Sequence, residues 1–461
     1  MRGGRPAGGA QKSRRRAGPA RRRDPDLGRG RDQAPRHWHS ALRPGLRARP
    51  PRPSRRAGGR GAGLGHAGDA LTPITRAIGV VTVSRSDYGH LVPVLHEIRT
   101  APDLRLVLFV AGAHLLPRFG RTVDLVEADG WPIAASIDML EADDSPAGIA
   151  ASTARGVDGF ARAFARHRPD VLVLMGDRFE MLAAAVAALP LVVPVAHIHG
   201  GEESEGAIDN QIRHAITKLA HVHFASAEPH ARRIAQMGEE PWRIHMTGAP
   251  GLDRIRPSEL LRRGDVAAAI GLPQAGPWLV VTFHPVTLEY QDTERHVDEL
   301  LAALDKLEAT LVLTYPGADT AGRAIIDRIE EFAGRHPNVR LVTSLGDRLY
   351  LSLLEHADAM VGNSSSGLIE APSFGLPAVN IGSRQTGRLR GANVIDVAPE
   401  RDDILSAIEA ALAPGLRTRL RATPNPYGDG RAAPRIVKVL REVELTPRLV
   451  RKRFVETEGG A

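Results

Sequence analysis

Residues 171–202 read VLVLMGDRFEMLAAAVAALPLVVPVAHIHGGE. An apolar run at 171–175 enters Gly176-Asp177-Arg178, an Ala-rich stretch follows to Leu189, and a second apolar run, 191–198, ends in His197-Ile198-His199-Gly200-Gly201-Glu202. Neither run alternates with polar residues, so each reads as a strand covered on both faces, and the stretch between them reads as a helix. Strand, polar turn, helix and strand in that order call for a parallel sheet.

The same alternation continues outward. Upstream, 77–83 is a strand with β-branched residues, followed by Ser84-Arg85-Ser86-Asp87-Tyr88-Gly89, a helix at 91–99 and a strand at 104–110. Downstream come a helix at 208–220 and strands at 222–225 and 244–247. A Pro- and Gly-bearing break, 248–277, precedes a second series. Its strands are 278–283, 310–314, 339–343, 359–361 and 378–381, with helices at 294–307, 319–334, 347–356 and 367–375. The amphipathic stretch 431–443 is suited to pack back on the first half. The fold class expected is α/β, two doubly wound Rossmann-like domains facing a cleft at the carboxyl ends of both sheets. The limits expected are 76–248 and 249–425, with a C-terminal helix and tail over 426–461.

Composition narrows the functions. The chain has 461 residues and no cysteine, which excludes a Cys nucleophile and thiolate metal sites. No run approaches the roughly 20 apolar residues that span a bilayer, so no membrane role and a cytoplasmic setting are expected. The net charge is +8, yet residues 1–75 hold 19 Lys and Arg against 4 Asp, which leaves the body at −7. A nucleic-acid partner is therefore disfavoured. Residues 1–75, rich in Arg, Gly and Pro, read as a disordered basic extension without a function.

Polar residues gather just after the strands. Gly362-Asn363-Ser364-Ser365-Ser366-Gly367 offers small residues, hydroxyls and helix-start amides, an arrangement suited to a diphosphate or to a simple helix cap. Glu370, one turn on, can accept from ribose hydroxyls or serve the helix dipole. His197 and His199 have strand spacing and should share a face, as should His221 and His223. A zinc site is the sharper reading of these pairs, and structural or substrate-contacting histidines the favoured one. Asp177, Glu202 and Asp209 stand at strand ends or helix starts, and Arg213 lies one turn beyond Asp209 on the same helix face.

The motifs in order, S-R-S-D-Y-G, G-D-R-x-E, H-I-H-G-G-E, I-D-x-x-I-R-H-A-I-T-K, G-A-P-G-L-D, F-H-P-V-T, G-N-S-S-S-G and R-Q-x-G-R, resemble the hydrolysing UDP-N-acetylglucosamine 2-epimerases over residues 77–445. The resemblance implies a GT-B-like fold with a UDP-amino-sugar between the domains and release of N-acetylmannosamine and UDP for sialic-acid-type synthesis. It implies anti elimination to a 2-acetamidoglucal, then hydration, with neither metal nor nicotinamide cofactor, in a homodimer or homotetramer. By the same resemblance Asp177, Glu202, Asp209 and His284 are catalytic. Arg85, Arg178, Arg213, Ser364, Ser365 and Glu370 bind substrate. Two departures stand out: Asn210 occupies a position where many members carry an acid, and His199 one where some carry Glu. Other readings are the same chemistry on UDP-2,4-diacetamido-2,4,6-trideoxyglucose, a GT-B glycosyltransferase, a non-hydrolysing epimerase, and an inactive nucleotide-sugar binder. The acidic helix start at Asp209, followed by H-A-I-T-K, speaks against a transferase.

Overall fold

The apolar runs form two parallel sheets in a computed structural model of the chain. It describes residues 75–456, apart from 118, 119, 144, 204, 206–208, 257, 258, 317–321, 343 and 344. The basic extension, but for Thr75, lies outside the described residues.

The first sheet holds β1 (Arg76–Thr82), β2 (Leu104–Ala111), β3 (Ile133–Ile137), β4 (Val171–Met175), β5 (Val195–Ile198), β6 (Val222–Ala225) and β7 (Ile244–Met246). Their spatial order is β3-β2-β1-β4-β5-β6-β7. The second holds β8 (Trp278–Thr282), β9 (Thr310–Thr314), β10 (Val339–Val342), β11 (Ala359–Gly362), β12 (Ala378–Ile381) and β13 (Val394–Val397), ordered β10-β9-β8-β11-β12-β13. Ile78 of β1 pairs with Leu106 on one side and Val171 on the other. Strand order therefore reverses between β1 and β4, and likewise between β8 and β11, and ligands enter open α/β sheets at the carboxyl ends of such switch points.

Helices cover both faces. In the first half these are α1 (Arg85–Thr100), α2 (Val123–Ala128), α3 (Pro146–His167), α4 (Phe179–Ala188), α5 (Asp209–Leu219) and α6 (Glu228–Gln236). The second half carries α7 (Arg263–Ile270), α8 (Thr293–Leu304), α9 (Gly322–Arg335), α10 (Gly346–His356), α11 (Ser366–Ile369), α12 (Arg401–Ala411) and α13 (Leu416–Arg421), and α14 (Ala432–Glu442) and α15 (Pro447–Val450) close the chain. Ala432, Ala433, Ile436, Val437 and Leu440 lie on one stripe of α14 and share a core with Ile78, Val80, Leu91 and Leu95. Asp253, from G-A-P-G-L-D, caps that helix by accepting from Ala432 N–H at 2.9 Å and Ala433 N–H at 2.7 Å.

Several elements differ from the sequence expectation. β5 starts at Val195, not at 191, because Pro194 has no N–H to give and Val192 turns left-handed at φ 56°. α1 begins at Arg85 and runs through Pro93. The helix expected at 367–375 is the four-residue α11 followed by a 3₁₀ turn, Ala371–Phe374. α2, α3, α6, α7, α12, α13, α15, β3 and β13 have no counterpart in the sequence reading, and α7 lies inside the break expected at 248–277. α3 approaches β3 closely, because Gly156 and Gly159 face Met139 and Ile137, where a Cβ would come within 2.5 and 2.7 Å. No helix among the described residues is long and apolar enough to cross a membrane.

Candidate active site

The turn after β1 is held by Asp87, which accepts from the Thr82 hydroxyl at 2.6 Å, Val83 N–H at 2.9 Å and the Ser84 hydroxyl. Tyr88 accepts from the Trp131 indole N–H at 2.8 Å and sits in the core. Two residues of S-R-S-D-Y-G therefore serve the fold. Ser84, Arg85, Ser86 and Gly89 instead line a cleft of about 960 Å³.

Beyond β4 and β5 the acids gather. Arg213, 3% exposed, reaches back from α5 to the Asp177 carboxylate, donates to the His199 carbonyl at 3.0 Å and lies 3.6 Å from Glu202. Glu202 Oε1 is 2.6 Å from His199 Nδ1 and accepts from the Ser226 hydroxyl at 2.5 Å. Burial alone would raise the Glu202 carboxyl, but His199, Arg213 and His230 outweigh it and hold the group well below the usual range. Asp209 behaves oppositely. Burial first, and then the Asp177 carboxylate, push it up to about 6, against the pull of Arg178, Arg213 and Arg388. The Asn210 side-chain amide donates to Glu203 at 2.9 Å.

The two histidines of H-I-H-G-G-E part company. His197 is fully buried in β5, with Nε2 2.8 Å from the Gly176 carbonyl and Nδ1 3.3 Å from the Thr217 hydroxyl. The strand ends at Ile198, and His199 adopts φ 64°, a left-handed conformation that swings its ring toward Glu202. The shared face expected from period-2 spacing fails because the second residue lies outside the strand. A non-glycine residue held left-handed beside an ion-pair network marks a constrained site. His221 and His223 are structural: His221 Nδ1 accepts from Val195 N–H at 3.1 Å, and His223 Nε2 is 3.0 Å from Glu239. Among the described residues no group of three or more His, Asp or Glu is placed to hold a metal ion.

In the second half, Gly362 at φ 128° brings β11 against β8, where a Cβ would stand 1.9 Å from the Thr282 carbonyl oxygen. Asn363 follows and binds the His284 backbone from both sides, and its own carbonyl accepts from Arg384 at 3.0 Å and Gln385 at 2.7 Å. Burial first, then Arg384, push the His284 imidazole down to about 3, so it is neutral at pH 7. Ser364 lines a second cavity of about 270 Å³ with Thr282, Thr314 and Tyr350, and this cavity shares Arg85, Asp347 and Tyr350 with the larger cleft. With α11 only four residues long, its amides and hydroxyls act locally rather than through a long helix dipole. Glu370 is buried and already engaged by Arg254 at 3.3 Å, which also meets Asp347 at 2.9 Å. His90 is held down to about 4 by burial and by Arg254, and it also senses Glu370 and His199, which links the two halves of the site.

The expected residues thus fall into three groups. Arg85 and Arg178 line the large cleft, and Ser364 the smaller cavity. Asp177, Glu202, Asp209 and Arg213 form one electrostatic cluster at the ends of β4 and β5. His284, Ser365 and Glu370 belong to neither cavity lining; Ser365 is the N-cap of α11. The sequence reading missed His90, Arg254, Asp347, Tyr350 and Arg388. No strand-end motif signals Arg254, Asp347 or Tyr350, and Arg388, although it closes R-Q-x-G-R, shows its approach to Asp209 only in three dimensions.

The sequence matches the UDP-N-acetylglucosamine 2-epimerase family over residues 96–441. It is 36% identical over 377 residues to the UDP-N,N'-diacetylbacillosamine 2-epimerase (hydrolyzing) of Legionella pneumophila, covering 82% of this chain and 98% of that protein. It is 37% identical over 336 residues to a Campylobacter jejuni GDP/UDP-N,N'-diacetylbacillosamine 2-epimerase (hydrolyzing), covering 72% and 87%. Identity to the UDP-N-acetylglucosamine 2-epimerase of Neisseria meningitidis is 32%, covering 82% and 98%. In fold it is similar to a crystal structure of UDP-GlcNAc 2-epimerase from Neisseria meningitidis bound to UDP-GlcNAc, with TM-score 0.66, 16% identity, and 80% of this chain and 100% of that one covered.

Proposed function

The chain belongs to the UDP-N-acetylglucosamine 2-epimerase family, and we propose that it is a hydrolysing UDP-sugar 2-epimerase in which Asp209 removes the sugar C2 proton. The observation that carries this reading is the Asp209 carboxyl, pushed up to about 6 beside acids that are otherwise engaged. A base works best when its pKa lies near the working pH. Glu202, held low by His199, stays ionised and is a poorer proton acceptor. Asp177 is committed to Arg213.

In the first step Asp209 takes the C2 proton, the C–H electrons form the C1–C2 double bond, and the C1–O bond breaks with its electrons passing to UDP. Water then adds to the 2-acetamidoglucal, hydroxyl at C1 and proton at C2 on the opposite face. Free UDP and a free sugar inverted at C2 result. The C2 proton is weakly acidic, so stabilisation of the departing diphosphate carries much of the catalysis. Arg85, Ser364 and Ser365 are suited to that task. His284 contributes as a neutral hydrogen-bonding imidazole, not a cation. Arg178 and Arg213 hold the sugar side, and Glu370, once shared with Arg254, receives the ribose.

Of the two substrates, the UDP-linked 2,4-diacetamido-2,4,6-trideoxy sugar has the better support. The relatives at 36% and 37% identity carry the diacetylbacillosamine name, and the cleft includes Ala113, Leu140, Ile149 and Phe179, apolar groups suited to methyls. The second reading is UDP-N-acetylglucosamine, favoured by the 32% relative. Two Rossmann-like domains over 76–248 and 249–425, the return of 426–461 to the first, a homodimer or homotetramer and a cytoplasmic setting complete the proposal. The test is UDP release without any acceptor from each UDP-sugar. A kcat/KM at least about tenfold higher for the diacetamido sugar supports the first reading. The reverse ratio establishes the second, and no release from either overturns both.

A further inference from the structure

Arg178 and Glu180 sit at the start of α4, inside G-D-R-x-E, and both line the large cleft. A glutamate in a first helical turn ordinarily serves the helix dipole from the surface. Glu180 does not fit that role, because its side chain is 0% exposed. One carboxylate oxygen accepts from Arg178 Nη2 at 2.9 Å, and the other, Oε2, is sealed from solvent without a hydrogen-bond partner. The turn after β2 makes room for this carboxylate: Gly112 is left-handed at φ 60°, and a Cβ there would lie 3.2 Å from Glu180 Oε1. A buried carboxylate with a single charged partner is held by that partner, and holds it in turn.

Arg178 is 44% exposed, and its hydrogen bond to Glu180 is what holds the guanidinium against α4. Its titratable neighbours are Glu180 on α4, Asp87 on α1, His114 in the 3₁₀ turn Gly112–Leu115, and Asp209 at the start of α5. Asp209 in turn is faced by Asp177 after β4, Arg178, Arg213 on its own helix and Arg388 from the loop after β12. Arg178 is thus paired with Glu180, and its charge also acts on Asp209. We propose that Glu180 is a positioning residue that holds the Arg178 guanidinium against its own carboxylate, offsets its charge, and so keeps Asp209 basic enough to take the C2 proton. This rests on the reading of Asp209 as the C2 base.

The sign follows from the charges. A carboxylate near an uncompensated cation becomes a weaker base. The test is the pH dependence of kcat for UDP release in Glu180→Gln, which keeps the acceptor for Arg178 but removes the charge. The expected result is an acid limb moved to lower pH by about half a unit or more, with a lower plateau and an unchanged KM. Arg178→Gln, at a half-exposed position, should move the limb to higher pH, and it serves if Glu180→Gln does not fold. An unmoved limb in a folded Glu180→Gln, or a shift upward, overturns the proposal, and so does an unmoved or lowered limb in Arg178→Gln. Asp209→Asn separates the two claims. If that variant retains turnover and the wild-type acid limb, the reading of Asp209 has failed. If it abolishes turnover while the Glu180→Gln limb stays put, only the role of Glu180 has failed.

Discussion

Asn363 binds His284 through both ends of its side-chain amide, donating to the His284 carbonyl at 2.8 Å and accepting from the His284 N–H at 2.7 Å. The pair fastens the end of β8 to the end of β11, across the switch point where the diphosphate is proposed to sit. It turns two loop residues into one rigid wall without using the His284 imidazole.

Replacing Asn363 with Ala leaves two buried backbone groups unpaired. Each such loss costs about 1–3 kcal/mol. The variant should be destabilised by about 2–6 kcal/mol in denaturant unfolding, and its UDP affinity should fall. Full stability would mean that water replaces the amide without cost.

Ser364→Ala/Ser365→Ala should weaken UDP binding while leaving thermal stability nearly unchanged, since the Ser364 hydroxyl accepts from the Ser366 N–H at a long 3.3 Å. Hydrogen bonds to charged groups are worth roughly 1.5–3 kcal/mol each, so a loss of at least about tenfold in calorimetric affinity is expected. Unchanged affinity would reduce the serine-rich turn to a helix start.

The Asp209 carboxyl, raised to about 6, makes activity depend on pH in a stated direction. The base must be ionised, so kcat should be flat above about pH 7 and fall as pH drops through about 6. The same raised value means that the folded state binds a proton more readily than the unfolded chain, so the ionised group costs stability above pH 6. Asp209→Asn should therefore lose at least about 10²-fold in kcat and yet unfold at a higher temperature than the wild type at pH 7.5. A lower Tm in a well-folded Asp209→Asn would contradict the burial argument.

At the opposite end of the first sheet, Glu239 is buried among Lys218 at 2.5 Å, Lys452 at 2.7 Å and His223 at 3.0 Å. Burial opposes its charge, but these partners hold its carboxyl down to about 2. A depressed carboxyl stabilises the fold above its unfolded value and loses that contribution as pH falls toward 2. Glu239→Gln should cost about 3–5 kcal/mol at pH 7, as removal of one member of a buried pair does. It should also flatten the acid side of the stability profile between pH 4.5 and 2.

Much of this is legible in the sequence alone. The β4–α4–β5 unit is, because its strands are apolar on both faces and its turns are polar. α3 is not, because Gly156 and Gly159 interrupt its helical period, and the reason for those glycines lies in Met139 and Ile137 of a neighbouring segment. The acids are legible as residues following strands. What separates Asp209 from Glu202 is that His199 and Arg213 outweigh the burial of Glu202, whereas Asp209 faces the Asp177 carboxylate, and these placements depend on elements meeting in space. His199 shows the limit of periodicity: one residue past the strand end, a left-handed backbone redirects the ring.

In the proposed reaction, elimination and hydration begin with proton removal at C2. Proton NMR of the reaction with the UDP-diacetamido sugar, and with UDP-N-acetylglucosamine, in D2O tests it most directly. Free UDP and a free sugar inverted at C2 are expected, the sugar carrying one deuterium at that carbon, with Asp209→Asn forming neither product nor glucal. A product still linked to UDP, or a free sugar that retains its C2 proton, would contradict it.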